Sequence, residues 1–96
     1  MDLYEVFEKY NDDYLKFQDV EDPRHIRADM CAFLLLDELV PPKKSSYMVA
    51  GAEHDEIYLQ VDCSLLADKA TEEDIRNLVR CGVRYCSDVE SLAMFV

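Results

Sequence analysis

The sequence predicts an α+β fold, with two N-terminal helices packed on a small, mostly antiparallel three-stranded sheet and a third helix beside them. Three observations predict it. Apolar residues recur at helical spacing through the first forty positions, and they alternate with period two at residues 56–62. A capped helix and two short strands then follow, with no repeated strand–helix–strand rhythm of the kind that builds a doubly wound sheet. The 96 residues suit a single domain over residues 1–96, and half of them are hydrophobic, enough for one modest core.

Residues 2–18 read as an amphipathic helix that Asp2 can cap. Leu3, Val6, Phe7, Tyr10, Tyr14 and Phe17 form one apolar and aromatic stripe, and Glu5, Glu8, Asp12 and Asp13 fall on or near the other side. Asp22-Pro23 reads as the next helix start, with Asp22 as the N-cap and Pro23 in the first helical position. That helix runs to about Leu39, and Pro41-Pro42 stops it. It is apolar on nearly every side from Met30 to Leu36, so it is expected at the centre. Phe33 and Leu34 should face Ile57, Leu59 and Val61, while Cys31 and Leu35 face Val6, Phe7 and Tyr10 of an antiparallel first helix.

Pro41 to Ser46 is a loop carrying Lys43 and Lys44, and Tyr47 to Asp55 is ambiguous between strand and helical turn. Residues 56–62 are the best strand, since Ile57, Leu59 and Val61 alternate with Tyr58, Gln60 and Asp62. A short helical turn follows at residues 64–69. Thr71 then caps a helix, with Asp74 as a short capping-box acid and Gly82 as the left-handed stop. Residues 83–86 and 91–96 read as an antiparallel hairpin around a turn at Ser87 to Glu90, with residues 56–62 as a third strand.

Charge narrows the function. Twenty-one acids against ten bases give a net charge of −11, and the segment up to Asp22 holds eight of the acids and only two bases. Direct binding to nucleic acid or to an anionic membrane is therefore not expected, and a basic protein surface would be attracted. No apolar run approaches the roughly 20 residues that span a bilayer. The acidic N-terminus is unlike a secretory leader, so the expected compartment is the cytoplasm, with Cys31, Cys63, Cys81 and Cys86 as reduced thiols.

Chemistry-bearing motifs are sparse. There is no GxSxG elbow, HExxH pair or phosphate-binding loop. His54-Asp55-Glu56 is the densest group of possible ligands, but its spacing matches no defined site and a solvated loop accounts for it. The Cys81-x4-Cys86 spacing lacks a CxxC knuckle, so the thiols read as independent. Neither a cofactor nor a metal is expected, nor an enzymatic activity.

Six tyrosines, a ring type enriched at interfaces, favour a binding module. The segments Ala52-Glu53-His54-Asp55-Glu56-Ile57, Ala70-Thr71-Glu72-Glu73-Asp74-Ile75 and Arg80-Cys81-Gly82-Val83-Arg84-Tyr85 resemble small uncharacterised proteins of phages and other mobile elements. Such acidic proteins include inhibitors of host defence, among them anti-CRISPR proteins, some of which imitate nucleic acid. The resemblance and the charge together lead to an inhibitor or regulator that occupies the basic, nucleic-acid-binding surface of a host protein. Glu5, Glu8, Asp12, Asp13, Asp19, Glu21 and Asp22 would make the contact, with Tyr10 and Tyr14 as anchors. The alternative is a structural or assembly module of a mobile element that homo-oligomerises, as a homodimer, through the strand ending Ala93-Met94-Phe95-Val96 while its acidity serves solubility.

Overall fold

Period-two patterning sets the middle of the sheet. In a computed structural model, which describes residues 1–96, β1 (Val49–Glu53), β2 (Glu56–Leu59), β3 (Arg84–Cys86) and β4 (Ser91–Phe95) form one antiparallel sheet in the order β1-β2-β4-β3. The register pairs Ile57 with Met94, and it pairs Leu92 with both Leu59 and Tyr85. These side chains share the face turned to the core. The opposite face carries Glu56, Tyr58, Arg84 and Phe95, with the Arg84 guanidinium 4.1 Å from the Phe95 ring centre and paired with Glu56. Ala93 lies between Tyr58 and Arg84 on that face and is fully buried.

The class is α+β, with a fourth strand and a fourth helix beyond the predicted set. The extra strand is β1, which joins β2 through the two-residue turn His54-Asp55. His54 takes a left-handed φ of 57° there. This turn lacks the glycine that usually announces a tight hairpin. The strand predicted over residues 56–62 ends at Leu59, because Asp62 leaves the ladder to cap α3 (Cys63–Lys69), accepting from the Ser64 and Leu65 amides at 3.0 and 3.2 Å. β4 lies inside the sheet, paired on both sides, so the free edge expected at residues 93–96 belongs to β1 instead.

The α4 helix (Glu72–Arg80) forms as its sequence predicts. Thr71 and Asp74 exchange the reciprocal hydrogen bonds of a capping box, and Gly82 closes the helix end with a φ of 97°. Ile75, Leu78 and Val79 enter a cluster of 18 buried hydrophobic residues drawn from all four helices and from β2 and β4.

The N-terminal half differs from its prediction. The helix expected over residues 2–18 ends at Lys9, giving α1 (Leu3–Lys9), with Asp2 capping the Glu5 amide as predicted. Two single 3-10 turns follow, Asn11–Asp13 and Phe17–Asp19, separated by Leu15 at a left-handed φ of 64°. The Leu15 amide donates to the Val79 carbonyl at 3.2 Å, so the chain folds onto the end of α4 where a continued helix would have left it. The α1 helix packs on α4 and β3 through Leu3, Val6 and Phe7, with Phe7 and Tyr85 ring centres 6.2 Å apart.

The α2 helix (Ala28–Leu39) starts five residues later than predicted. Asp22 adopts a left-handed φ of 47°, whereas an N-cap residue is normally extended, so Asp22 does not cap the helix. The Arg27 amide instead donates to His25 Nδ1 at 3.0 Å, which holds residues 22–27 in a local loop. Ile26, 90% exposed, shows that an earlier helical turn would have had nothing to pack against. Cys31, Ala32, Leu35 and Leu36 form the buried stripe of α2 and Phe33 is half-buried, but Leu34 is 38% exposed and does not sit against the sheet. The Cys31 thiol meets Cys81 at the end of α4, and the main helix contact of α2 is with α4. A domain of two layers has no third surface to cover an all-round apolar helix.

Candidate interaction surface

The acidic N-terminal segment is built onto α4 by charge. Arg76 and Arg80 stand one turn apart on α4, and both reach Asp13. Arg76 Nε donates to Asp13 Oδ2 at 2.6 Å, and Arg80 Nε lies 3.3 Å from the same oxygen. Arg80 is only 8% exposed. Its Nη1 donates to Asn77 Oδ1 at 3.0 Å and lies 3.5 Å from Glu73. A buried guanidinium needs such partners, because an unpaired charge is costly to remove from water. The Arg76 hydrogen bond holds the Asp13 carboxyl below the ordinary carboxylate range, and Coulombic attraction from Arg76 and Arg80 adds to it.

A second tie forms at the end of α1. Lys9 Nζ and the Tyr10 hydroxyl both donate to Glu72 Oε1, at 2.7 and 2.9 Å. These bonds, the lysine's first, lower the pKa of the Glu72 carboxyl. Lys9 and the Arg76 guanidinium lie 5.3 and 5.4 Å from the Tyr10 ring centre, within cation–π range.

The nine residues singled out in the sequence thus separate into groups. Asp13 and Tyr10 are committed to α4, and Tyr14 is half-buried against the core. Glu5, Glu8 and Asp12 are exposed and make no ion pair, although Glu8 accepts a 3.5 Å hydrogen bond from Asn11. Asp19, Glu21 and Asp22 are also exposed, beyond the Leu15 bend, and the Asp22 carbonyl accepts from Arg24 at 3.4 Å. Arg76 and Arg80 are not among the candidate site residues expected from the sequence. Their spacing of four on a helix was the available signal, because it sets two cations on one face beside the apolar stripe.

The cysteines do not assemble into a reactive group. Burial pushes the Cys63 thiol up, with the Asp62 charge adding to it. Burial and the neighbouring Cys31 push Cys81 up to about 12. Both thiols stay protonated near neutral pH, and a thiol is a far weaker nucleophile than a thiolate. No three His, Cys, Asp or Glu side chains converge to hold a metal ion, and no helix is long and apolar enough to cross a membrane.

The largest cavity, about 580 Å³, lies between the end of α2, the start of β1 and α3. Lys43, Lys44, Tyr47 and Gln60 help line it, and neither lysine is in an ion pair.

Searches of protein-family models, curated proteins and solved structures find no match to this chain. Its function is therefore argued from its own residues.

Proposed function

We propose that the chain is a non-catalytic binding module that occupies a basic surface of a partner protein and so inhibits or regulates it. One observation carries this reading. Glu5, Glu8 and Asp12 make no ion pair; Lys9, Arg76 and Arg80 are engaged by Glu72 and Asp13, which leaves Lys16 as the one unpaired cation on the segment. The segment is held in place from one side and presents uncompensated carboxylates on the other. Because the backbone of the segment is already fixed, meeting a basic groove costs side-chain but little backbone ordering, and the unneutralised acids accelerate encounter at low salt. Tyr4, half-exposed on the same helix, adds an aromatic contact.

A surface that normally carries nucleic acid suits these acids, since it is already arranged for regularly spaced negative charge. Host proteins that handle nucleic acid, CRISPR effectors among them, are therefore the partner class we propose to test first. The test is affinity capture from host lysate at low and high salt, using the wild-type chain and a Glu5→Lys/Glu8→Lys/Asp12→Lys variant. The reading expects a partner that the wild type holds at low salt, that high salt releases and that the variant fails to hold. A partner retained equally by the variant would overturn it.

A further inference from the structure

A cavity of about 470 Å³ opens beside the acidic face, between α1, the 3-10 turn Asn11–Asp13, the end of α4 and β3. Its walls are apolar and aromatic. Phe7, Val79 and Val83 are buried, while Tyr14 and Tyr85 are half-buried. Glu8 and Asn11 also line it and are exposed. A 3.5 Å hydrogen bond from Asn11 is the only one that the Glu8 carboxylate accepts. Arg84 lines the cavity too, but its guanidinium lies 4.1 Å from the Phe95 ring centre and pairs with Glu56. Glu8 is therefore the one charge at this cavity without an opposite partner.

That combination selects the occupant. A purely apolar group would strip water from Glu8 and leave the carboxylate unpaired, which is costly. An anion would meet Glu8, with Glu5 and Asp12 unpaired on the same segment. An arginine side chain suits both parts. Its methylene stem packs on apolar walls, its flat guanidinium stacks on tyrosine rings, and its fork of donors reaches a carboxylate and an amide oxygen together. Lysine brings the charge without the plane, and its ammonium is more strongly hydrated. The molecule already uses such a pairing internally: the Arg76 guanidinium lies 5.4 Å from the Tyr10 ring centre while it bonds Asp13.

We infer that this cavity receives an arginine side chain of the basic partner and is the anchoring point of the acidic face. The inference rests on the function proposed above and adds which cation that face selects. Glu8 and Asn11 receive the guanidinium, and Tyr14 and Tyr85 flank it. Arginine is prominent among the residues that dominate binding from desolvated pockets, whereas exposed acids around the pocket act mainly on encounter.

Hexa-arginine and hexa-lysine peptides carry equal charge and separate the two claims. Their binding to the full chain is measured by isothermal titration calorimetry and mapped by NMR amide shifts. At low salt both should bind, as the acidic face requires. Hexa-arginine should bind about fivefold more tightly or better, and it should shift the amides of Phe7, Asn11, Tyr14, Val83 and Tyr85. Glu8→Gln should abolish this preference. Glu5→Gln removes the same charge from α1 outside the cavity, so it should weaken both peptides alike and keep the preference. Circular dichroism should be unchanged in both variants, since both side chains are exposed. Equal affinity of wild type for the two peptides would overturn the inference and leave the acidic face standing. So would a preference that persists in Glu8→Gln, or shifts that bypass the cavity. Failure of both peptides to bind at low salt would overturn the acidic face, and the inference with it.

Discussion

In residues 56–96 each element begins and ends at a signal within its own few residues. Residues 10–19 take their shape from contacts more than sixty positions away, Asp13 with Arg76, Tyr10 with Glu72 and Leu15 with Val79. The first region holds period-two apolar residues, a capping box at Thr71 and Asp74, and a left-handed glycine at position 82. The second has an aromatic stripe at helical spacing, yet helix persists only to Lys9. A short amphipathic stretch is marginal as an isolated helix, so tertiary contacts decide how far it extends. Two arginines and the Val79 carbonyl on α4 offered the chain a better arrangement than further helical turns.

The largest effect should come from the element the two regions share. Leu78 is fully buried on α4, in the core cluster that also takes in Leu3, Val6 and Phe7 of α1 and Leu59 and Leu92 of the sheet. Leu78→Ala should cost about 2–5 kcal/mol, read as a lower urea midpoint, and both regions should melt in one transition. Separate transitions would show that the N-terminal segment is not coupled to α4 as described.

Next in size is Gly82. Its φ of 97° suits glycine, and an added Cβ would approach Leu15 Cδ2 at 2.9 Å. Gly82→Ala should cost about 1–3 kcal/mol, chiefly because the left-handed φ strains alanine at the stop of α4, while the exposed Leu15 side chain moves aside cheaply. Native stability in this variant would contradict the left-handed stop of α4 against which the Leu15 bend is set.

The helix starts sharpen the comparison further. Thr71→Ala removes a formed cap and should cost about 0.5–2 kcal/mol. Asp22→Ala should cost only the strain of alanine at the left-handed φ of 47°, about 1 kcal/mol, and should leave amide protection at the start of α2 unchanged, since Asp22 caps nothing. Loss of that protection in this variant would restore Asp22 as a helix start.

How much of this was legible follows from the same contrast. The sheet hairpin, the α4 caps, the cap of α1 and the burial of Cys31 all rest on neighbouring residues, and the sequence displays those directly. β1 was ambiguous because its hairpin turns on His54-Asp55, without glycine, and because its residues are small and mostly exposed. Asp22-Pro23 misled because good cap chemistry is insufficient where the following turn, with Ile26 in it, has no surface to bury. At the candidate surface, the sequence displayed the exposed acids Glu5, Glu8 and Asp12. It hid the role of Asp13, because which acid meets a cation depends on where α4 lies.

Acid should separate the regions most gently. The Asp13 and Glu72 carboxyls titrate below their ordinary range, near pH 4. Their contribution is therefore complete above that range and is lost as pH falls through the lowered values. Fluorescence of Tyr10 and Tyr14, read in a chain whose other tyrosines are phenylalanine, should change below about pH 4 before the sheet unfolds. Coincident changes would mean that the carboxylates do not hold the segment separately.

The central claim is that Asp13 pins residues 11–19 to α4 through Arg76 and Arg80. Amide hydrogen exchange in wild type and in Asp13→Asn tests it most directly. The variant keeps the shape of the side chain but removes the charge that faces the buried Arg80 guanidinium. Protection at Tyr14, Leu15, Lys16 and Val20, whose amides bond within or beside this segment, should fall sharply, while Leu59, Leu78 and Leu92 keep theirs. Equal protection of residues 11–19 in the two proteins, or a uniform loss through the sheet, would contradict the account.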